Sequence, residues 1–334
     1  MSFKIQEYRR QEDFRERSVT VSEPGRAPAD EKGRRYGYML ALGYEDENLY
    51  PTLRGAGAVR RFFDERAIAW WRHCGFDTAG LNCPTRNMAS SQISCVNFVL
   101  PLAEIENGLL ALLAAVDDDV TSIVTIEAPI AGTSSPVEFE WIGLGHALED
   151  QSETRRGEFS TSVDAFLVAE TRSGRRAYLL EWKYTESYRK NDMGRGQKGQ
   201  TRRRRYRAPY AASPAFRDEI PLEAWLHEPF YQIMRQRLLA DRMVARKELG
   251  VSEAKVVLVV PDGNIEYSRS MTSPSLRAAF PDAESVEELA VAAMNAPLRD
   301  FAVVSQQAIG KVVRSGCGEA ARCWSEYHFD RYGW

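Results

Sequence analysis

Two stretches decide the fold: Ser162-Val-Asp164-Ala-Phe-Leu-Val168 and, a little further on, Ala177-Tyr-Leu-Leu-Glu181-Trp-Lys183-Tyr184. Both are apolar runs with charges inside them, and each is long enough for a strand. Arg172-Ser-Gly174-Arg between them reads as a tight turn, which joins the two as an antiparallel hairpin. Strand side chains alternate faces, so Glu181 and Lys183 share one face while Leu180 and Trp182 point into the opposite layer. A carboxylate, an ammonium and the neighbouring strand's Asp164 therefore converge on one side of a sheet.

Outward from this hairpin the order is helix, strands, helix, buried strand. Upstream, residues Asn87 to Ala115 read as a helix, or two joined at Pro101, started by Ser90 or Ser91. Strand candidates follow at Ser122 to Ile130, Val137 to Ile142, Thr161 to Glu170 and Ala177 to Thr185. Downstream, Pro221 to Leu249 reads as one strong helix, and Lys255 to Val260 as a strand buried on both faces. A helix near Val286 to Met294, a short strand Phe301 to Ser305, a helix through Lys311 and an aromatic tail complete the chain. Residues 1 to about 35 are polar, with Pro24 and Pro28 as breakers, and read as an extended or loosely attached arm; Gly57 to Trp71 contains a helix.

With 334 residues and 44% apolar side chains the chain holds one large domain or two modest ones. No apolar run is long enough to span a membrane and the N-terminus lacks the apolar stretch of a secretory signal, so a cytoplasmic protein is expected. Five cysteines at positions 74, 83, 95, 317 and 323 form no Cys-x-x-Cys pair and read as free thiols. His73, Cys74 and Cys83 match no familiar zinc spacing, and His146 and His227 stand without a recognisable partner.

The net charge of −3 hides an uneven distribution. Between Arg189 and Arg207 nine basic residues face a single acid, Asp192. Such a segment repels itself and has little to bury, so a mobile loop is expected, with Arg202, Arg203, Arg204 and Arg205 gripping a nucleic-acid backbone.

The Glu-x-Lys triplet alone is weak evidence, because Asp30-Glu-Lys32 and Glu253-Ala-Lys255 match the same pattern. Only Glu181-Trp-Lys183 lies inside an apolar strand joined by a short turn to a second strand bearing an acid. Charges in such a place carry a desolvation cost that is tolerated for pairing, metal binding or catalysis. Mg²⁺ takes one or two carboxylates plus phosphate oxygens, which suits Asp164 and Glu181, and Lys183 suits the orientation of a water or the charge of a transition state. A glycosidase also uses two carboxylates but leaves no place for Lys183 or the arginine run.

On these residues the block from about Asn87 to Val260 resembles the PD-(D/E)XK, or restriction-endonuclease-like, nuclease superfamily. Ser90-Ser-Gln92, Tyr231-Gln232-Ile-Met-Arg235 and Arg331-Tyr-Gly are similar to segments of a bacterial branch of restriction endonucleases. Val163 stands where the superfamily motif has proline. The resemblance implies an α/β fold with a restriction-endonuclease-like core: a central mixed sheet flanked by helices in the order αβββαβ. Its expected divisions are an N-terminal arm and accessory segment (1–85), a nuclease core (86–265) and a C-terminal extension (266–334).

The implied activity is Mg²⁺- or Mn²⁺-dependent endonucleolytic hydrolysis of DNA in restriction or phage defence, with Asp164 and Glu181 as metal ligands and Lys183 as the catalytic cation. Gln92, Glu186, Gln232 and Arg235 are candidates for supporting or substrate contacts, with Gln236 one helical turn from Gln232. A further acid is expected from the superfamily, with Gln92, Glu127 and Glu140 all left open for that position. DNA is the implied partner, RNA is not separated from it, and a homodimer is compatible. The rival readings are a nucleic-acid-binding subunit that keeps the fold without cutting, and a repair or recombination nuclease.

Overall fold

The computed structural model describes residues 1–27, 29–31, 34–54, 57–71, 83–127, 132–145, 148–149, 160–189, 192–295 and 300–334. Its strands are β1 (Ala29–Glu31), β2 (Arg34–Tyr36), β3 (Val120–Val124), β4 (Ile126–Glu127), β5 (Ser134–Ser135), β6 (Glu138–Trp141), β7 (Val163–Thr171), β8 (Gly174–Trp182), β9 (Glu253–Val259) and β10 (Phe301–Val304). Six of them form a mixed sheet in the order β10-β9-β8-β7-β3, with β6 also paired to β7. β7 and β8 are antiparallel, whereas β8, β9 and β10 run parallel. The outer edge of β7 is shared: β3 pairs with its Val168 to Thr171 half and β6 with its Val163 to Phe166 half.

The chain's helices before the crossover are α1 (Phe3–Arg17), α2 (Ala58–Glu65), α3 (Ser91–Val99) and α4 (Gly108–Ala114). The crossover from β8 to β9 carries α5 (Gly196–Ala212), α6 (Leu222–Trp225) and α7 (Phe230–Ala245). Beyond β9 come α8 (Ile265–Ser268), α9 (Pro274–Ala279), α10 (Val286–Ala292), α11 (Gln306–Cys317) and α12 (Arg322–Tyr332). Period-two alternation splits the core into two layers. Ala165, Leu167, Tyr178, Leu180 and Trp182 face a layer containing α3, α4, α11 and α12, while Phe166, Val168, Ala177 and Leu179 face one containing α6, α7 and α10. Among the described residues no single helix is long and apolar enough to cross a membrane.

The hairpin, the turn at Arg172 and Ser173 and the buried parallel strand stand where the sequence places them. The N-terminal arm does not: α1 is a helix capped by Ser2, and its buried face is Phe3, Glu7, Gln11, Phe14 and Arg15 at helical spacing. Three of those five are polar, which is why no apolar stripe betrays it. Gln11 donates to the Tyr184 hydroxyl at 2.8 Å and to the Arg331 carbonyl at 3.0 Å, which ties the arm to β8's continuation and to α12.

The arginine run is also a helix, α5, and not a loop. Arginine is a good helix former, and a helix spreads like charges around its axis. One residue of its face, Tyr206, is buried and donates to Glu149 at 2.7 Å, anchoring the rest. The long helix expected over Pro221 to Leu249 is broken into α6 and α7, because Pro229 has no N–H to give and its ring clashes with the preceding turn.

Candidate functional site

The register fixes the site before any side chain is considered. β7 and β8 pair so that Ala165 is opposite Leu180, which sets the next residues, Asp164 and Glu181, abreast. β6 and β7 pair Phe139 with Ala165 and Trp141 with Val163, which sets Glu140 abreast of Asp164. Three carboxylates therefore lie in a row across three adjacent strands. Glu140 has a left-handed backbone, φ 46°, which interrupts the alternation of β6.

All three line one cavity of about 690 Å³. The sheet contributes the acids, and the helices of the crossover contribute Lys198, Arg202, Arg205 and Arg235. Acidic and basic walls thus enclose the same space, a disposition suited to a phosphodiester that needs both a cation bound to carboxylates and direct contacts to its oxygens.

Each acid is held by named donors. Asp164 accepts from the backbone N–H of Trp182 at 2.6 Å. Glu181 is held on one oxygen by the Lys183 ammonium and on the other by the Gln236 amide. Lys183 also donates to Gln232, so α7 supports both members of the Glu-x-Lys pair. Glu140 accepts from Ser162 Oγ at 2.7 Å, Trp71 Nε1 at 2.7 Å and Gln92 Nε2 at 3.2 Å.

Burial and mutual repulsion act on these groups in the same direction. Burial first, then the Glu181 and Glu140 charges, push Asp164 well above the ordinary carboxylate value. Glu140 is raised by burial, with Glu181 adding to it, against the hydrogen bonds it accepts. For Lys183, burial works against the charge, but Glu181 beside it more than restores it and holds the ammonium well above its usual value. Lys183 is therefore a fixed cation and donor at neutral pH, not a base.

The remaining candidates separate. Gln92 and Gln232 join the site through Glu140 and Lys183. Arg235 lines the cavity, donates to Thr161 Oγ1 and the Ser160 carbonyl at 2.9 Å each, and lies over the Tyr231 ring at 5.2 Å. Arg202 and Arg205 line the cavity, while Arg203 donates to the Gly194 carbonyl at 2.7 Å and Arg204 is exposed elsewhere on α5.

Among the described contacts Glu186 makes no hydrogen bond to Lys183, whose charge it favours through space; its carboxylate accepts from the Tyr184 backbone N–H at 2.6 Å. Glu127 is exposed on the β4–β5 ribbon, away from the cavity, which leaves Glu140 as the acid brought to the site. Glu228, not singled out in the sequence, lines the same cavity with one carboxylate oxygen unpartnered among the described groups, and burial raises its pKa. Its place beside a proline at a helix start gave no chemical signal.

Cys95, Cys317 and Cys323 are free thiols and Cys83 is buried, whereas Cys74, His73 and His146 lie outside the described residues. His227 is an isolated bridge partner of Asp192. Among the described residues no three His, Cys, Asp or Glu side chains converge as a ready-made metal cage.

A family model described as "Restriction Endonuclease associating with ARP" matches residues 11–333. The chain belongs to this family, REase-ARP. The match takes in α12 and the second half of α1, from Gln11, as well as the sheet, so the REase-ARP family pattern spans parts of both these helices and the site alike. No curated protein matches the chain. No solved structure matches it either.

Proposed function

We propose that this REase-ARP protein is a metal-dependent endonuclease of the PD-(D/E)XK type that hydrolyses DNA in restriction. The observation that carries the reading is the row of Glu140, Asp164 and Glu181 across three strands, with Lys183 beside it and a basic wall facing it across one cavity. The order α3, strands, β7, β8, α7, β9 is compatible with the αβββαβ core of that superfamily.

The donor set fits a divalent cation. Three neighbouring carboxylates have one ammonium in contact, and Asp164 is raised by burial first and then by the charges of Glu181 and Glu140. Asp164 and Glu181 would hold the ion, with Glu140 as the third acid, and two carboxylates with waters and phosphate oxygens suffice for Mg²⁺ or Mn²⁺. When bound, such an ion supplies positive charge to the phosphate and acidifies water.

The chain's own groups do the rest. Gln236 and Lys183 fix the Glu181 carboxylate, and Gln92 fixes Glu140. Lys183, permanently protonated, stabilises the extra negative charge that develops on the phosphate as the new bond forms. Arg202, Arg205 and Arg235 hold phosphate oxygens and exclude water around them. Action as a homodimer and exclusion of RNA belong to this proposal as questions for the same assay.

To test it, purified protein is incubated with plasmid, single-stranded DNA and RNA, with Mg²⁺, Mn²⁺ or a chelator. Metal-dependent cleavage of DNA is expected, reduced by about 100-fold or more in Asp164→Asn and in Lys183→Ala. Cleavage that persists unchanged in both variants overturns the assignment. Salt-sensitive DNA binding with no cleavage under any metal supports instead a binding subunit that keeps the fold.

A further inference from the structure

Six of the seven tryptophans are buried, none more than 7% exposed, but Trp71 is 53% exposed. An indole carries the largest apolar surface of any side chain, so a lone exposed one beside a functional cavity asks for a reason. Trp71 is not loose. Its backbone N–H donates to Gln92 Oε1 at 2.8 Å and its indole N–H to Glu140 Oε1 at 2.7 Å. The polar edge of the ring is thereby pinned to the row of acids, and its apolar surface is left to solvent.

The same residue lines a second cavity of about 220 Å³, shared with Lys4, Tyr8, Ser90 and Ser91. Trp71 thus stands at the boundary between the acid-lined cavity and a smaller one lined by an ammonium, a phenol, hydroxyls and one carboxylate, Glu186, which is taken up by the Tyr184 backbone N–H. If a hydrogen-bond donor for Glu140 were all that was required, a smaller polar residue would serve without exposing an indole. A flat, anchored ring between a phosphate-handling site and a second polar hollow has the composition of a base-stacking platform, which binds any base through its π-face.

We propose that Trp71 stacks on an unpaired base of the DNA strand being cut, next to the phosphate addressed by Glu140, Asp164 and Glu181. The inference rests on the nuclease reading and narrows its substrate. Bases inside a duplex have both faces covered by their neighbours, so the strand at Trp71 must be unpaired or have a base drawn out of the stack. The sugar-phosphate beyond that base then meets Lys4 and the hydroxyls of the smaller cavity.

Because the other six indoles are buried, acrylamide quenching of tryptophan fluorescence reports chiefly on Trp71. The probe is a DNA duplex containing an unpaired bubble, at low salt, with the Asp164→Asn protein so that the strand stays whole. Saturating DNA is expected to suppress the quenching. In a parallel anisotropy titration Trp71→Ala weakens binding by about 5-fold to 100-fold, the range for loss of one stacked base, while Trp71→Phe keeps most of the affinity because it keeps a ring.

Equal losses in Trp71→Ala and Trp71→Phe would assign the effect to the bond with Glu140 and overturn stacking. Cleavage and binding by the wild-type protein with no shielding of Trp71 also overturn this inference and leave the nuclease standing. Absence of both DNA cleavage and DNA binding in the wild type overturns the two together.

Discussion

Strand β8 buries charges at both of its ends, under opposite rules. At one end Arg176 donates to Asp117 and Glu253, Tyr178 donates to Asp117 at 2.8 Å, and Lys255 lies 3.3 Å from Asp117. Two cations meet two carboxylates, and hydrogen bonds from Tyr178 and Arg176 outweigh burial to pull the Asp117 pKa down. At the other end Glu140, Asp164 and Glu181 share one ammonium, and the pKa of Asp164 goes up. A neutralised cluster fastens the strand. A cluster kept short of positive charge gives up stability, and in the proposed nuclease reading what it gains is an affinity for a cation.

The comparison breaks most visibly if the acidic end is neutralised. Asp164→Asn is expected to remove cleavage while leaving the thermal midpoint of the metal-free protein unchanged or higher, since it deletes an unfavourable charge; a marked fall in that midpoint would show that Asp164 is a fastening too. At the balanced end Arg176→Met leaves Asp117 and Glu253 facing less positive charge, and a loss of about 3–5 kcal/mol is expected in urea unfolding. A loss below about 1 kcal/mol would place this pair among the weak surface pairs.

A smaller effect sharpens the picture of the acidic end. Gln236→Ala frees one oxygen of Glu181 and is expected to lower metal affinity or activity by about 10-fold to 100-fold, as outer partners of a metal ligand generally do. The readout is the Mg²⁺ concentration for half-maximal cleavage, and an unmoved curve would remove Gln236 from the site. The smallest effect is a slope. Asp117 has a folded pKa below its ordinary 3.8, so its stabilisation is complete above that value and is lost as pH falls through the lower, folded one. Asp117→Asn should flatten the acid limb of a stability against pH curve, and an unchanged limb would assign it to other carboxylates.

The hairpin was legible because a period of two, a short turn and two apolar runs specify pairing and faces together. Asp164, Glu181 and Lys183 followed from that, and the β9 strand from its continuous apolar run. Glu140 was one of three open choices, because only the pairing of β6 with β7 says which residue falls abreast of Asp164, and pairing across the stretch from Trp141 to Val163 has no local signal. α1 hid behind Glu7 and Gln11, whose burial depends on Tyr184 and Arg331 far along the chain. α5 is hidden for a different reason: the self-repulsion of its basic run argues for a loop, and the helix propensity of arginine, which leaves no periodic apolar signal, outweighs it. The break at Pro229 was plainly written in the sequence and was outweighed by the helical spacing on either side of it.

Arg331 is fully buried, and among the described residues no carboxylate pairs with it; it bonds Gln11, Asn48, the Met88 carbonyl and Tyr327, and its backbone carbonyl accepts from Gln11. Gln11 reaches on to the hydroxyl of Tyr184, the residue that follows Lys183. Helices α1 and α12 are thus latched to each other and to the strand exit that carries the ammonium, by these hydrogen bonds and by the ring contacts of Phe14 with Tyr327 and of Tyr184 with Tyr332. A change that loosens either helix therefore acts on the packing of Tyr184, one residue from the ammonium, so the periphery of this molecule bears directly on its centre.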